Sequence, residues 1–383
     1  MSFFYYFLAT LLYLAALPYL MYLRFKPKYH DSIPARFFLN NNPSFTEGGI
    51  WFHACSFGEV RSLSPFIDKI ESSAVRISVI TQTGFKEARK HSQAQVRYLP
   101  FEIFLPFWMR KQKVLIVMEA ELWPLLFIVA KAKGIKTVLL NARISDNSYA
   151  SYQRFAWLYR WIFKHIDLVF AQSAEDEQRL KHLGAKMVQV SGNIKAFSAY
   201  EVTHVYPKAM DKRVIVMAST HEQEEALILS RLTLRSSDQL IVVPRHPERF
   251  VKVNQLLREY ALHEGKTYAR LSQDARVDSD IILCDKMGEL INLYAIADVV
   301  ILGGSFVDGI GGHNPLEPAY FGVKIISGEF VFNQKVLFEA VENIITCKVE
   351  NLKNVFDSIG DYPKSTISHR SDITPLLEQI LGS

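Results

Sequence analysis

Short apolar runs alternate with helical stretches through most of this chain, and no other feature restricts its fold as strongly. Apolar, β-branched runs fall at 50–55, 76–81, 114–118, 137–140 and 168–172, with helical stretches such as 58–70, 122–133 and 174–183 between them. Four to eight apolar residues bounded by loops read as a strand buried on both faces. Strands that alternate with helices imply right-handed βαβ units and a doubly wound parallel sheet. The pattern pauses at 196–212, where polarity is mixed, and resumes at 213–218, 240–243, 281–284, 299–302 and 324–327. The sequence thus predicts an α/β protein of two Rossmann-like domains, at 24–195 and 213–383, joined by a linker at 196–212. A length of 383 residues, at roughly 150 per domain, agrees. Ligands of such sheets bind beyond the carboxyl ends of the strands, so the expected site is an interdomain cleft.

Residues 1–23 stand apart. Of these, 20 are hydrophobic and none is charged. As a helix the segment would be about 35 Å long at 1.5 Å per residue, enough for a bilayer core of about 30 Å. A basic flank follows (Arg24, Lys26, Lys28 and Arg36) and no charge precedes. The positive-inside rule then puts the amino terminus outside and the remainder in the cytoplasm. A cleaved signal peptide would need a basic start and a small-x-small cleavage site, and neither is evident. A helix lying in the interface is the alternative, because five tyrosines are spread along the segment and Pro18 interrupts it. A mean hydropathy of only +0.06 excludes a many-spanning membrane protein. Three cysteines without a CxxC spacing exclude a disulfide scaffold and a Cys-based zinc site.

Functional groups crowd the positions just after the apolar runs. At 53–59 (HACSFGE) a strand ends and a helix begins. Ser56-x-x-Glu59 is a capping box, and Glu59 is also a carboxylate placed to accept a proton from a substrate hydroxyl. Glu119 and Glu121 follow the run at 114–118; Glu121 also suits a helix start, whereas Glu119 reads as a site residue. Lys195 closes the first domain in SGNIK. Arg245, after Pro244 in VPRHPERF, can meet a phosphate or carboxylate with two parallel bonds. The glycine-rich stretch at 303–318 gives strand, loop and helix start, a geometry for anions. Glu317 in the same turn suits sugar hydroxyls. GxxxxGK[ST] and a first-turn GxGxxG are both absent, which argues against a P-loop NTPase and a dinucleotide oxidoreductase.

Together these stretches resemble the 3-deoxy-D-manno-octulosonic acid (Kdo) transferases. The matches are SFGE (56–59), MEAELWP (118–124), LNARIS (140–145), GNIK (192–195), ASTHEQEE (218–225), VPRHPERF (243–250), MGEL (287–290) and GGSFV…GGHNPLEP. They stand in family order, from the apolar segment almost to residue 330. The resemblance implies a metal-independent GT-B glycosyltransferase without a cofactor. Its donor would be CMP-Kdo, its acceptor a tetraacylated, phosphorylated lipid A precursor, and its location the bacterial inner membrane with catalytic domains on the cytoplasmic face. Glu59 matches the family's general base, and Glu119 and Lys195 match positions that stabilise the transition state. Pro244, Arg245, Met287, Gly288, Glu289, Asn314, Pro315, Leu316 and Glu317 match CMP-binding positions. Phe57 and Ala120 depart from the usual residues, but neither change removes a functional group.

The leaving group implied by the resemblance would be a nucleoside monophosphate, so no diphosphate would need a metal bridge. In-line displacement with one base implies inversion. The aromatic, basic stretches 101–113 and 149–165 suit a lipid interface, although Trp157, Tyr159, Trp161 and Phe163 also suit a core. The net charge of +5 suits an anionic membrane, and no motif supports nucleic-acid binding. Rival readings are another GT-B enzyme, a nucleotide-sugar epimerase, and a tethered, non-catalytic sugar-nucleotide binder.

Overall fold

The computed structural model describes the chain apart from residues 120, 198–199, 209–210, 274–277, 369–372 and 383. It forms two compact units, residues 1–198 with 371–383 and residues 199–370.

The first unit holds a parallel sheet. Its strands are β1 (Ile50–Ala54), β2 (Val75–Val79), β3 (Gln95–Tyr98), β4 (Val114–Met118), β5 (Lys136–Ala142), β6 (Leu168–Ala171) and β7 (Val188–Val190), in the order β3-β2-β1-β4-β5-β6-β7. Every residue of β1, β2 and β4 is buried, as expected of strands covered on both faces. Phe52 lies between Ile77 and Ile116, so β1 is the strand at which the chain order reverses. At such a reversal the loops after two neighbouring strands diverge and leave a crevice. Glu59 stands in the first turn of the helix that follows β1, and Glu119 directly follows β4.

The second unit repeats the plan. Its strands are β8 (Arg213–Thr220), β9 (Asp238–Pro244), β10 (Tyr268–Arg270), β11 (Ile281–Leu283), β12 (Val299–Leu302) and β13 (Lys324–Ser327), with short β14 (Val341–Glu342), β15 (Ile345–Thr346) and β16 (Thr366–Ile367). The parallel sheet runs β10-β11-β9-β8-β12-β13-β15, and β14 pairs with β16. Here the reversal lies at β8, between β9 and β12.

Three expectations change. The stretch 196–212 is largely not a free linker. Tyr200 and Tyr206 are buried, the N–H groups of Thr203 and His204 donate to Asn292 Oδ1 (2.9 and 3.2 Å), and Lys208 pairs with Asp298. These residues belong to the second unit; positions 198–199 and 209–210 lie outside the described residues. The final helix, Thr374–Leu381, belongs to the first unit and not to a domain at 213–383. Ile373, Leu377 and Ile380 join the core that covers one face of the first sheet, and Lys136 Nζ donates to the Gln379 carbonyl at 2.9 Å. Their helical spacing is that of an apolar stripe which must find a partner.

The apolar segment is helix α1 (Ser2–Leu23), and it is docked. Tyr5 donates to Glu102 Oε2 at 2.6 Å, Tyr6 to the Ile103 carbonyl at 3.0 Å, and Tyr13 to the Phe37 carbonyl at 2.6 Å. The Tyr13 ring also meets Phe101 and Phe104, and Tyr5 meets Trp161. The opposite side exposes Phe3, Phe4, Phe7, Leu11 and Leu12. In the aromatic stretch 149–165, Phe163 is core, Tyr159 and Trp161 pack partly against it, and Trp157 is exposed.

Candidate active site

In the first unit the functional groups gather at the sheet reversal. Helix α2 (Ser32–Phe38) precedes β1, and helix α3 (Phe57–Ile67) follows it. Ser56 caps α3, and a variant of the capping box forms in which Glu59 reaches the N–H one residue before the cap. Ser56 Oγ accepts from the Glu59 N–H, the Ser56 hydroxyl donates to Glu59 Oε1 at 2.7 Å, and the Cys55 N–H donates to Glu59 Oε2 at 2.8 Å. Cap and site are therefore one arrangement. Burial pushes the Glu59 carboxyl above its usual range. The two hydrogen bonds oppose that shift, while Glu119 and Glu121 add to it. Phe57 is exposed beside it, and Ala120 lies outside the described residues.

Glu119 has φ +54°, a left-handed conformation rare for such a residue. Its N–H is fixed by the Leu140 carbonyl at 2.8 Å. Lys195 Nζ stands 3.9 Å from Glu119 Oε1, with both side chains more than a third exposed. An ion pair this loose adds little stability, so both charges remain available to a ligand. Lys195 is positioned by amide groups that the sequence reading did not single out. Asn141 Oδ1, after β5 turns to φ +60°, accepts from the Ile194 N–H at 3.1 Å. Gln172 Oε1 accepts from Asn193 Nδ2 at 3.2 Å, and Asn193 Oδ1 accepts from the Lys195 N–H at 3.0 Å.

Two further groups were missed or misplaced. Arg36, counted above in the basic flank, is half-buried beside the site. Its Nε donates to the Leu99 carbonyl at 3.0 Å. Burial lowers it to about 10, against the opposing pull of Cys55 and Glu121. Glu121 is not a helix-start acid, since that helix begins at Pro124; it accepts instead from Trp123 Nε1 at 2.7 Å. His53 is wholly buried and held neutral, lowered to about 3 by burial, with Nδ1 against the Ser78 carbonyl and hydroxyl. His53, Cys55 and Glu121 offer three metal-ligand atoms within 4.8 Å of one another. A cation there would meet the fixed charge of Arg36, which argues against a resident metal.

In the second unit the groups also gather at the reversal, but the glycine loop is not free for an anion. Glu224 is wholly buried and accepts from the N–H groups of His221 (2.9 Å), Gly304 (2.7 Å), Ser305 (3.1 Å) and Phe306 (3.0 Å). This internal carboxylate fills the nest that the sequence suggested for a ligand. A side chain at Gly303 would come within 2.8 Å of the Ser219 carbonyl, so the close approach of β12 to β8 needs glycine. The neighbouring Glu225 is clamped by both Nη atoms of Arg249 at 2.7 Å and by the Thr220 hydroxyl at 2.6 Å.

Open positive character lies beside this clamp. Pro244 ends β9, and Arg245 follows with an exposed side chain, its N–H tied to the Thr220 carbonyl at 3.0 Å. His221 Nε2 lies 2.8 Å from His313 Nε2, with ring planes 13° apart, and His246 packs on His221. Burial, then His221, Arg245 and His246, push His313 down to about 4. One nitrogen of the pair must donate and the other accept, so both rings cannot be imidazolium while this bond stands. Asn314 Oδ1 accepts from the Leu316 N–H at 3.0 Å, and Asn314 Nδ2 reaches Glu317 at 3.4 Å. Pro315 and Leu316 are buried beneath them. Glu289 accepts from the Tyr206 hydroxyl (2.9 Å) and Asn292 Nδ2 (2.8 Å), next to exposed Met287 and Gly288 at φ +86°. The helices carrying Glu289 and Glu317 pack together.

Two Rossmann-like units, each with its polar groups at the reversal of a parallel sheet, define the GT-B class of nucleotide-sugar enzymes. Solved structures agree on the fold. The UDP-GlcNAc 2-epimerase of Neisseria meningitidis matches with a TM-score of 0.54 at 12% identity, over 88% of this chain and 94% of that one. A glycosyltransferase from Rickettsia africae matches with 0.50 at 15% identity, over 83% and 88%. Within the class, a family model for 3-deoxy-D-manno-octulosonic-acid transferase (kdotransferase) matches residues 31–198. The 3-deoxy-D-manno-octulosonic acid transferases of Haemophilus influenzae and Aquifex aeolicus are each 30% identical, covering 83% and 80% of this chain and 79% and 83% of their own lengths. The chain belongs to the 3-deoxy-D-manno-octulosonic acid transferase family and is a glycosyltransferase. A bifunctional glycosyltransferase/methyltransferase of Fusobacterium nucleatum is 33% identical over 81% of this chain, which spans 52% of that protein.

Proposed function

We propose that the enzyme transfers Kdo from CMP-Kdo to a hydroxyl of a tetraacylated, phosphorylated lipid A precursor, without metal or cofactor. In this reading the first unit receives the acceptor and the second the CMP-sugar. Glu59 takes the proton of the attacking hydroxyl. The hydroxyl oxygen bonds to the anomeric carbon, the bond from that carbon to the phosphate oxygen breaks, and its electron pair leaves with CMP. A single displacement inverts the anomeric centre. Glu119 and Lys195 stabilise the developing charges. Arg245 neutralises the phosphate, while Pro244, Met287 to Glu289 and Asn314 to Glu317 hold the nucleoside.

The observation that carries this reading is the Glu59 carboxylate. It is oriented through both oxygens, and burial raises its pKa, which makes it a stronger base than a free carboxylate. The test is an assay with CMP-Kdo and the lipid precursor, read by mass spectrometry. A product heavier by Kdo units, reduced about 10²–10⁴-fold in folded Glu59→Gln, is expected. Full activity in that variant sinks the assignment of the base.

We read α1 as the membrane attachment, on the cytoplasmic face of the bacterial inner membrane. A helix crossing the bilayer would carry Tyr5 to its far side, yet Tyr5 bonds the buried Glu102 of the first unit. A helix lying in the interface, one side on the protein and the other in lipid, satisfies both contacts.

A further inference from the structure

Just beyond the end of α1, a cavity of about 450 Å³ opens in the first unit between α2, helix α4 (Gln82–Ala88) and the edge strand β3. Its positive character comes from Arg24, Arg89 and Arg97, and His30, Asp31 and three asparagines, Asn40 to Asn42, also line it. Among the described residues, no carboxylate pairs with any of these guanidiniums. The one acidic residue of the wall is Asp31, and both of its oxygens are in use, one by His30 and the other by Gln82. The wall is firmly built. Asn42 is buried and bonds the Ala35 carbonyl (3.1 Å) and the Tyr98 carbonyl (2.8 Å), and Phe85 stacks on Tyr98 at 4.4 Å. Arg97 is held in place by the carbonyls of Pro43 and Val96, at 3.0 and 2.8 Å. Burial and the nearby charge of Arg89 hold the Arg97 guanidinium below its usual value.

Three guanidiniums around a single carboxylate leave the concavity with net positive charge, and they repel one another unless a further anion joins them. The place of this concavity restricts which anion. Arg24 caps the carboxyl end of the apolar helix, and the adjacent Phe25 is 75% exposed. On the reading of α1 as a membrane attachment, on which the inference rests, this opening lies at headgroup depth. We propose that the cavity binds the phosphate headgroup of a membrane lipid. Arg24 and Arg89 grip its oxygens from opposite walls, Arg97 supplies a fixed charge behind them, and Phe25 sits among the acyl chains. The site holds the enzyme against anionic lipid and is separate from the donor and the base.

The experiment uses the full chain and vesicles of phosphatidylcholine, alone or with phosphatidylglycerol, at fixed ionic strength. Flotation with the neutral vesicles tests α1 alone, and its failure overturns the attachment without touching the arginines. Phosphatidylglycerol should tighten wild-type binding. Arg24→Gln with Arg89→Gln should weaken binding to the anionic vesicles by about thirtyfold, roughly fivefold for each arginine, and leave neutral binding unchanged. Arg24→Lys with Arg89→Lys keeps both charges but loses the planar fork, and should still weaken anionic binding about fivefold. Wild-type affinity in the Lys variant would mean a diffuse field and overturn the site. Inorganic phosphate that competes away the phosphatidylglycerol gain at millimolar concentration would identify a free anion and overturn the lipid assignment.

Discussion

Glu59 shows how one residue serves fold and chemistry together. Its carboxylate completes a helix cap, and the same two bonds aim it. Because Glu119 and Glu121 raise its pKa, removing one of those charges has a definite sign. Glu119→Gln should lower the Glu59 pKa and move the acid limb of the kcat/KM profile to lower pH, alongside a loss of about 10²-fold in rate. An unmoved limb would mean that the two carboxylates do not interact. Glu224 makes the opposite case. It lies in the matched stretch ASTHEQEE, and it binds four backbone N–H groups inside the second unit. Glu224→Ala should cost about 3–5 kcal/mol in stability, read by urea denaturation, because those donors lose their partner in a dry interior. His53 and His313 should contribute to the loss of stability in acid. Both are held neutral, at about 3 and about 4, below the unfolded value near 6.5. From about pH 6.5 down towards these values the unfolded chain binds protons that the folded chain refuses, so stability falls with pH. His313→Gln should flatten part of that fall in thermal melts between pH 7 and 5.

At the scale of elements, the strands were legible because each is a short apolar run between loops, and the site loops were legible because they follow those runs. Helix α1 was legible as an apolar helix but not in its placement. Nothing in its composition says that Tyr5, Tyr6 and Tyr13 find partners at Glu102, Ile103 and Phe37, contacts made across long sequence separations. Arg36 was misread for the same reason, since a basic residue after an apolar segment looks like flank until α2 turns it inward. The stretch 200–208 offered mixed polarity and no period because its partners, Asn292 and Glu289, lie more than 80 residues away. The docking of α1 has a topological consequence. Ser2→Cys should resist an impermeant thiol reagent added outside intact cells and react once the membrane is permeabilised. Labelling in intact cells would restore the spanning helix.

The whole molecule has a chain path that neither sheet reveals alone. The first unit contains both ends of the described chain, and the second unit is inserted between them. The last helix therefore completes a core laid down some 300 residues earlier, with Ile373, Leu377 and Ile380 in the same cluster as Phe66 and Val114. Ile380 is wholly buried, so Ile380→Asp places an unpaired charge in that core. A cost of about 3–5 kcal/mol is expected, which for a unit of this size is a fall of roughly 10 °C in its melting temperature. The insertion makes the effect divisible. CMP binds the second unit in the proposed reading, and a ligand raises the melting temperature only of the unit that binds it. Calorimetry of the wild type with CMP should therefore mark one transition by its upward shift. Ile380→Asp should lower the other transition and leave CMP affinity within about twofold, while transfer to the lipid acceptor is lost. If the transition that CMP raises is also the one that Ile380→Asp lowers, the last helix stabilises the donor half, and its assignment to the first unit's core is wrong.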